Sequence, residues 1–479
     1  MHMHASDWEY RIEGNNHIIF SNSATGSLLR LPKISKRKRW SEKIDRNGQF
    51  MEIEFLESVI YKMLEKCKIH FKSEKVTLSQ NFFDELALTL NEKRPKRFWD
   101  DVLDDRCTYG LIMPNFCDRV VHALLPSIKY PLSTTAPVIS IEIRPKSCYV
   151  PHFVDSAPSG LRNKCHYCLM RMYVEKSNPS LPQTLYCPND LYSNDTRRMK
   201  RALCDLIRGP KRYFIARISD EPIEFVKGDS PKFASNLASL FGANGSRGNE
   251  FEAFLNLVCA SLQAPVTQHP LPQNQTKPHC RRPADATCTP NIHRDVTDDV
   301  TGANVMQMLA SIQNMRDVPM SEVMKADERV RDYTDRHPGD RELLSLDFPY
   351  CIDNWRSALE FEQEPRNKYP LDGEQRTERS EMVALVTRLR RFIISRIFSC
   401  CSLIVSMHRL PGVKRCDEDF PGGDDKSFVI EDGFGNFYLS SIAILDLYKD
   451  PPNQIAKYYE NEQQLTLHLC QRFKPSNPT

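Results

Sequence analysis

Val138-Ile139-Ser140-Ile141-Glu142-Ile143-Arg144-Pro145-Lys146 is the stretch on which the fold turns. Its first part alternates as a strand with one buried face does. Pro145 has no N–H to donate and fixes its own φ, so the strand must leave its ladder there. Glu142 and Arg144 lie two apart and share one face of an extended chain, as does Lys146 if the extension holds through Pro145. Cationic side chains at the mouth of a strand suit a polyanion. The plainer alternative is a strand with a solvated, charged end.

Working outward, residues 8–32 read as a short hairpin with turns at Gly14-Asn15-Asn16 and Ala24-Thr25-Gly26. Phe55, Val59, Ile60 and Met63 recur at helical spacing and predict a lone helix over 51–66 in a small N-terminal lobe. Leu111 to Phe116 reads as a strand running into a hinge. Residues 196–208 form an amphipathic pattern stopped by Gly209-Pro210. Further helices are expected at 250–262, 303–315 and 380–398, and strands near 402–407 and 438–447. Residues 264–303 are rich in Pro, Thr, Gln and Asn with no apolar period, which marks an exposed insertion, and 474–479 is expected to be a disordered tail. The expected class is α/β in two lobes: 1–150 with hairpin, helix, strands and hinge, and 151–479 carrying the insertion.

Composition fits a globular enzyme: 479 residues, 40% hydrophobic and 27% charged. The formal net charge of +3 is too small to argue for nucleic acid. Cations are nonetheless clustered, at Lys36-Arg37-Lys38-Arg39, at Arg197-Arg198 with Lys200-Arg201, and at Arg388 with Arg390-Arg391. The longest apolar stretch, Phe392 to Met407, is interrupted by Arg396, so no spanning helix is expected. Sixteen cysteines without a visible secretory signal imply reduced thiols, in cytoplasm or nucleus. A monomer is expected, with no membrane or nucleic-acid partner.

The stretch at 142–146 resembles the Glu-x-Lys-Pro-Lys motif of inositol-pentakisphosphate 2-kinases, with Arg144 replacing the first lysine. Other segments resemble that family in the right order. Glu13-Gly14-Asn15-Asn16-His17 with Leu28-Leu29-Arg30-Leu31 looks like its N-terminal hairpin. Lys164-Cys165-His166-Tyr167-Cys168 looks like its basic, Cys-rich helix, and Tyr186-Cys187-Pro188-Asn189-Asp190-Leu191-Tyr192-Ser193 with Arg198-Met199 like a family signature. Cys401-Ser402-Leu403-Ile404-Val405 and Ile444-Leu445-Asp446-Leu447 resemble its last two core strands.

The resemblance implies a two-lobed inositol-polyphosphate kinase fold, distantly protein-kinase-like, with ATP between the lobes. It implies phosphorylation of the 2-hydroxyl of inositol 1,3,4,5,6-pentakisphosphate to inositol hexakisphosphate (phytate). Gly14, Asn15, Asn16, His17, Arg30, Asn115, Glu142 and Arg144 would then face the nucleotide. A glycine at such a turn lets backbone amides approach phosphates. Asp446, ending an apolar strand, is a hard oxygen ligand suited to Mg²⁺. The substrate carries about ten negative charges, at about −1.5 to −2 per phosphate. Lys146, Lys164, Lys211 or Arg212, Lys449 and Lys457, with the hydroxyl of Tyr458, are the expected partners.

Two departures bear on catalysis. The family carries an aspartate, taken as the base for the 2-hydroxyl, where this chain has Cys400. A thiol does not simply replace a carboxylate base. The family's Asp-x-Asp-x-Lys-Pro reads Asp446-Leu447-Tyr448-Lys449-Asp450-Pro451 here. Lys146, Asp446 and Cys400 are thus the candidates for catalysis, and a catalytically impaired inositol-polyphosphate-binding or nucleic-acid-binding protein is the alternative. His279, Cys280, Cys288 and His293 in the insertion are donors that could hold structural Zn²⁺. Cys165 and Cys168 form a CxxC with no second CxxC and read as helix packing.

Overall fold

The computed structural model describes residues 3–14, 17–36, 53–65, 67–69, 72–117, 138–151, 161, 164–178, 184–210, 213–219, 221–223, 241, 250–267, 302–316, 318–347, 350–359, 377–410, 429–432, 434–447 and 454–472. Two antiparallel sheets carry the fold. The first holds β1 (Glu9–Glu13), β2 (His17–Asn22), β3 (Ser27–Ser35), β6 (Tyr109–Pro114) and β4 (Glu74–Thr77) in that order, with β5 (Asp101–Leu103) paired to the far end of β3. The expected hairpin is therefore three strands, because each of the two turns closes its own antiparallel pair.

The second sheet has the order β11 (Val429–Glu431), β12 (Phe437–Leu445), β10 (Ser402–Leu410), β7 (Val138–Ile143), β8 (Phe214–Ile218) and β9 (Glu221–Ile223). β10 and β12 are buried along almost their whole length. Leu403, Val405, Met407, Ile442 and Ile444 enter the large helical core, while Ile404 and Ala443 meet Phe116 and Cys117 on the opposite face. Two buried faces explain why these strands read as near-continuous apolar runs.

Helices cover the first of those faces. α1 (residues 53–63) contains the turn Leu56–Ile60, and α2 (Gln80–Lys93) packs on the first sheet. Then follow α3 (His166–Ser177), α4 (Thr196–Arg208), α5 (Glu250–Gln263), α6 (Val305–Gln313), α7 (Met320–Arg336), α8 (Ile352–Leu359), α9 (Glu378–Ser399) and α10 (Gln454–Arg472). Caps mark several ends: Asp195 accepts from Arg198 N, Thr377 from Ser380 N, and Asn304 forms a reciprocal box with Gln307. Gly209 stops α4 where the sequence places its stop.

α1 corrects an expectation. It is not the lone helix of an N-terminal lobe, since α2 also packs there. Phe55, Leu56, Val59 and Ile60 enter the large core, where the Phe55 ring meets Tyr350 and Trp355 edge-on at 5.0 Å. Helical spacing identifies an apolar face but not which core it faces. The described ends of the insertion are tied together by Val266 N donating to Ala303 O and by a bridge between Pro265 and Asn304. Gly302 is required there, since a Cβ would come within 2.0 Å of Thr267 O. No helix among the described residues is long and apolar enough to cross a membrane.

Candidate functional site at the end of the second sheet

Register brings four chain segments to one end of the second sheet. Leu445 pairs with Ser402, Leu403 with Ile143, and Ile143 with Phe214. Asp446, Cys400-Cys401, Arg144 to Lys146, and Tyr213 are the residues just beyond those pairs. Lys146 and Asp446 both hold left-handed backbone, at φ 61° and 62°, and only two other non-glycine residues among those described do so. Such conformations cost about 1–3 kcal/mol and persist only where the surroundings impose them.

The surroundings of Lys146 do so. The strand ends at Ile143, and Arg144 N makes the last bond, to Tyr213 O. Tyr186 Oη donates to Pro145 O at 2.6 Å and Tyr192 Oη to Lys146 O at 3.2 Å. Ser399 Oγ meets Ser147 Oγ at 3.4 Å, Cys148 N donates to Gln313 Oε1, and His166 N donates to Tyr149 O. Five consecutive residues are thus anchored to α3, α6, the end of α9 and the Tyr186–Tyr192 segment. The extension through Pro145 does not hold, so Lys146 leaves the face shared by Glu142 and Arg144. Its Nζ lies 4.7 Å from the centre of the Tyr213 ring.

Glu142 accepts from Arg144 at 3.4 Å and from Arg217 at 3.2 Å, so it positions two guanidiniums rather than standing alone. Asp446 is exposed, and its Oδ2 accepts from Ser402 Oγ at 2.7 Å. Cys400 is exposed at the C-cap of α9, and Cys401 behind it is buried. Burial, with neighbouring Cys400 and Asp446, pushes the Cys401 thiol up, while Lys146 pulls it down. All three sequence candidates for catalysis therefore lie around one buried thiol.

A basic wall continues from Tyr149. His166 lies against Arg316 and Arg396; burial and those two charges lower its imidazole to about 3. Arg396 stacks 4.2 Å from the Tyr458 ring, and among the described residues it meets no carboxylate. Arg316 lies over Tyr149 and Phe392 and pairs with Glu462. Lys164 is half-buried beside α3, and Lys457 is exposed beside Tyr458. Neither Arg316 nor Arg396 was singled out from sequence. Arg396 left a signal, as the charge that interrupts the longest apolar stretch; Arg316 left none.

The first sheet treats its charges differently. Glu13 is buried and accepts from Arg94 at 2.6 and 2.7 Å and from Lys33 at 3.0 Å, and Lys33 also pairs with Asp101. Burial would raise the Glu13 carboxyl, but Arg94 and Lys33 hold it below its ordinary value. Arg30 meets His17 Nδ1 at 2.8 Å. Burial and the charges of Arg30 and Lys33 lower His17 to about 2, so the imidazole accepts while neutral. Asn115 is buried, and its side chain accepts from Cys117 N while its own N–H donates to Gly26 O. It shapes the turn after β6. Gly14 N donates to His17 O, and a Cβ there would meet nothing within 4 Å.

One cation in each of two sequence clusters is tied into the fold. Arg390 is buried over Trp355 and donates to the carbonyls of Asn354, Leu343 and Ser345; burial lowers it to about 10. Arg198 pairs with Asp190 at 2.9 Å, within the Tyr186–Met199 signature. Asn15, Asn16, Arg37 to Arg39, Lys211, Arg212, Tyr448, Lys449, His279, Cys280, Cys288 and His293 lie outside the described residues.

Comparison with known proteins gives a consistent match. A family model described as inositol-pentakisphosphate 2-kinase matches residues 10–464. A curated inositol-pentakisphosphate 2-kinase from Danio rerio is 23% identical over 387 residues, covering 74% of this chain and 77% of its own length.

Proposed function

The chain belongs to the inositol-pentakisphosphate 2-kinase family, and on that premise we propose that it transfers the γ-phosphoryl group of ATP to the 2-hydroxyl of inositol 1,3,4,5,6-pentakisphosphate, giving inositol hexakisphosphate. The observation that carries this reading is the pair Lys146 and Asp446. Both are held in left-handed backbone at one sheet end, beside Cys400 and a basic wall.

The parts match what phosphoryl transfer demands, which is positioning and neutralised charge more than covalent chemistry. Lys146, fixed by the anchored 145–149 arm, meets one phosphate of the inositol. Arg396, Arg316, Lys164 and Lys457 neutralise others, with the Tyr458 hydroxyl donating. Asp446 fits Mg²⁺: it is an exposed oxygen donor whose other oxygen is fixed by Ser402. When bound at Asp446, Mg²⁺ would supply positive charge that offsets the charge of the nucleotide phosphates. The open space over Gly14 and the guanidiniums held by Glu142 fit the triphosphate side. ATP would then lie between the first sheet and the end of the second, as in a two-lobed kinase.

In the transfer, the 2-hydroxyl oxygen forms the new O–P bond and the bond from Pγ to the β–γ bridging oxygen breaks. ADP leaves, and the hydroxyl proton passes to solvent, because a thiol stands where the resemblance places a carboxylate base. The test is incubation of the pure chain with ATP, Mg²⁺ and inositol pentakisphosphate, followed by chromatographic separation. Equal amounts of inositol hexakisphosphate and ADP are expected. Tight polyphosphate binding by calorimetry with no product would overturn the kinase reading and leave a binding protein.

A further inference from the structure

We propose that Arg217 is a positioning residue: by taking one oxygen of Glu142, it leaves Arg144 open to a nucleotide phosphate. The role rests on the reading above, in which Arg144 faces the nucleotide, and it names the side chain that keeps Arg144 available. Arg217 lies outside the stretch that carries Glu142 and Arg144, 75 positions from Glu142 along the chain.

Topology makes the contact. β7 and β8 are antiparallel, with Ser140 opposite Arg217 and Glu142 opposite Ile215. Directly opposed residues share a face, so Ser140, Glu142 and Arg217 stand on one side of the sheet, and Arg217 reaches Glu142 across the diagonal. Ile404, opposite Glu142 on β10, stands on that side too and clusters with Phe116 and Cys117. The segment that leaves the first sheet therefore lies over this face, where Ser406 Oγ donates to Phe116 O. Arg217 Nη1 meets Cys117 Sγ at 3.7 Å, while its Nη2 donates to Glu142 Oε2 at 3.2 Å. Both prongs of the fork are engaged, and the side chain is only 11% exposed.

Arg144 is in the opposite state. Its side chain is 42% exposed. Its Nη2 touches Glu142 Oε1 at 3.4 Å, which is long for a hydrogen bond, and its Nε has no hydrogen-bond partner among the described residues. An arginine beside a lone carboxylate tends to close into a bidentate pair with two parallel N–H···O bonds. Glu142 cannot offer that to Arg144 while its second oxygen belongs to Arg217. Charge points the same way. One carboxylate between two guanidiniums leaves a net charge of +1; with Arg217 removed, Glu142 and Arg144 would cancel. A pair that only joined β7 to β8 would be complete with Arg217 and Glu142 alone. The half-exposed Arg144 is what the arrangement leaves over for an anion.

The test is calorimetric titration of the full chain with ATP and Mg²⁺, without inositol pentakisphosphate, so that binding is read apart from turnover. Arg217→Met should raise the Kd for ATP by roughly tenfold, the low end of what a hydrogen bond to a charged group contributes. Glu142 keeps Arg144 as a partner in that variant, so the protein should fold. Neutralising the carboxylate as well, in Arg217→Met/Glu142→Gln, should bring the Kd back to within about twofold of the parent. In an Arg144→Met background, Arg217→Met should add less than about twofold. Arg217→Lys returns a cation to Glu142 without a second prong for Cys117, so it should lose only about threefold. If the methionine variant does not fold, that smaller loss, absent in the Arg144→Met background, gives the same reading. A loss that persists in Arg217→Met/Glu142→Gln, or that is as large without Arg144, would make Arg217 a purely structural residue. A parent that binds ATP, with an Arg217→Met variant that binds it equally well, would overturn this role and leave the kinase reading standing. A parent that binds no ATP would overturn the nucleotide reading, and the role with it.

Discussion

The turn region of the first sheet and the end of the second sheet carry similar sets of charged residues and use them in opposite ways. Around Glu13 the charges neutralise one another inside the protein: Arg94 and Lys33 are about 1% exposed and the Glu13 carboxylate not at all. At the end of the second sheet Asp446 is exposed, and Arg396 meets no carboxylate among the described residues. Charge satisfied inside by its neighbours holds a structure together; charge held in place and left exposed is open to a ligand. Sequence shows both kinds as the same letters.

The largest effect should come from Asp446→Asn. If this carboxylate holds the metal, losing it removes several kcal/mol of transition-state stabilisation, and turnover should fall by about two decades or more. Binding of inositol pentakisphosphate, measured by calorimetry without ATP, should persist. Because the side chain is exposed and, among the described residues, hydrogen-bonds only Ser402, the melting temperature should barely move. A variant that turns over normally at low Mg²⁺ would remove Asp446 from the site and blur the contrast.

Arg94→Met is the counterpart in the first sheet. It leaves Glu13 buried with Lys33 as its remaining ion-pair partner at this position, and breaking such a pair costs about 3–5 kcal/mol. Stability should fall while kcat/KM of the folded fraction stays within twofold or so of the parent. The pH dependence follows from the sign of the shift. The Glu13 carboxyl lies below its ordinary 4.5 when folded, so its contribution is present above about 4.5 and is lost as pH falls through the lowered value. Without Arg94 that acid limb should move to higher pH in melting curves. A stability loss that is flat in pH would break the assignment.

How much of this was legible in sequence follows the same division. Strands β7, β10 and β12 announce themselves because buried strands must be apolar, and α4 does so through its amphipathic pattern and Gly209, whose chemistry is local. α1 was found as a helix but placed in the wrong core, because helical spacing does not name a partner. Lys146 and Asp446 were legible as strand ends; their shared left-handed backbone was not, and the arm carrying Lys146 is held by Tyr186 and Tyr192, distant in sequence. Arg390 stands in sequence as one of a cationic cluster, yet it is buried and holds three carbonyls. Which cation finds a carboxylate or carbonyl is decided by tertiary contact. Cys187 entered the reading only as part of a signature, and only folding brings it to Cys165 and Cys168.

Lys146→Met tests the second-sheet side of the contrast. A hydrogen bond to a charged group is worth about 1.5–3 kcal/mol, so kcat/KM for inositol pentakisphosphate should fall by roughly 10- to 150-fold. The carbonyl anchors at Pro145 and Lys146 are backbone groups and survive the substitution. An unchanged kcat/KM in folded protein would count Lys146 among the structural charges.

Cys400→Asp asks whether the missing base limits the rate. General-base catalysis contributes about 10²–10⁴-fold where fully aligned, and partial recovery should give a gain of roughly tenfold in turnover. Cys400 is exposed, so an added carboxylate there should not disturb packing. Lower stability with no gain would show that the side chain does not face the reacting hydroxyl.

Gly14→Ala should have the smallest effect and draws the boundary most finely, because it can move the first sheet's turn from one class to the other. The protein itself does not need a glycine at this position. A Cβ would meet nothing within 4 Å, and Gly14 is not among the positive-φ glycines, Gly26 and Gly435. Substitution should therefore raise stability slightly, by about 0.4–1 kcal/mol through the unfolded chain. Any functional penalty must come from a ligand lying over the turn. A methyl group pressed against bound phosphates costs about 1 kcal/mol at the low end of overpacking, which is roughly fivefold in KM for ATP. The KM for inositol pentakisphosphate should stay the same. If KM for ATP is also unchanged, no nucleotide passes over Gly14. His17, Arg30, Glu13 and Lys33 would then all belong to the scaffold, and ATP would have to be bound from the second sheet alone.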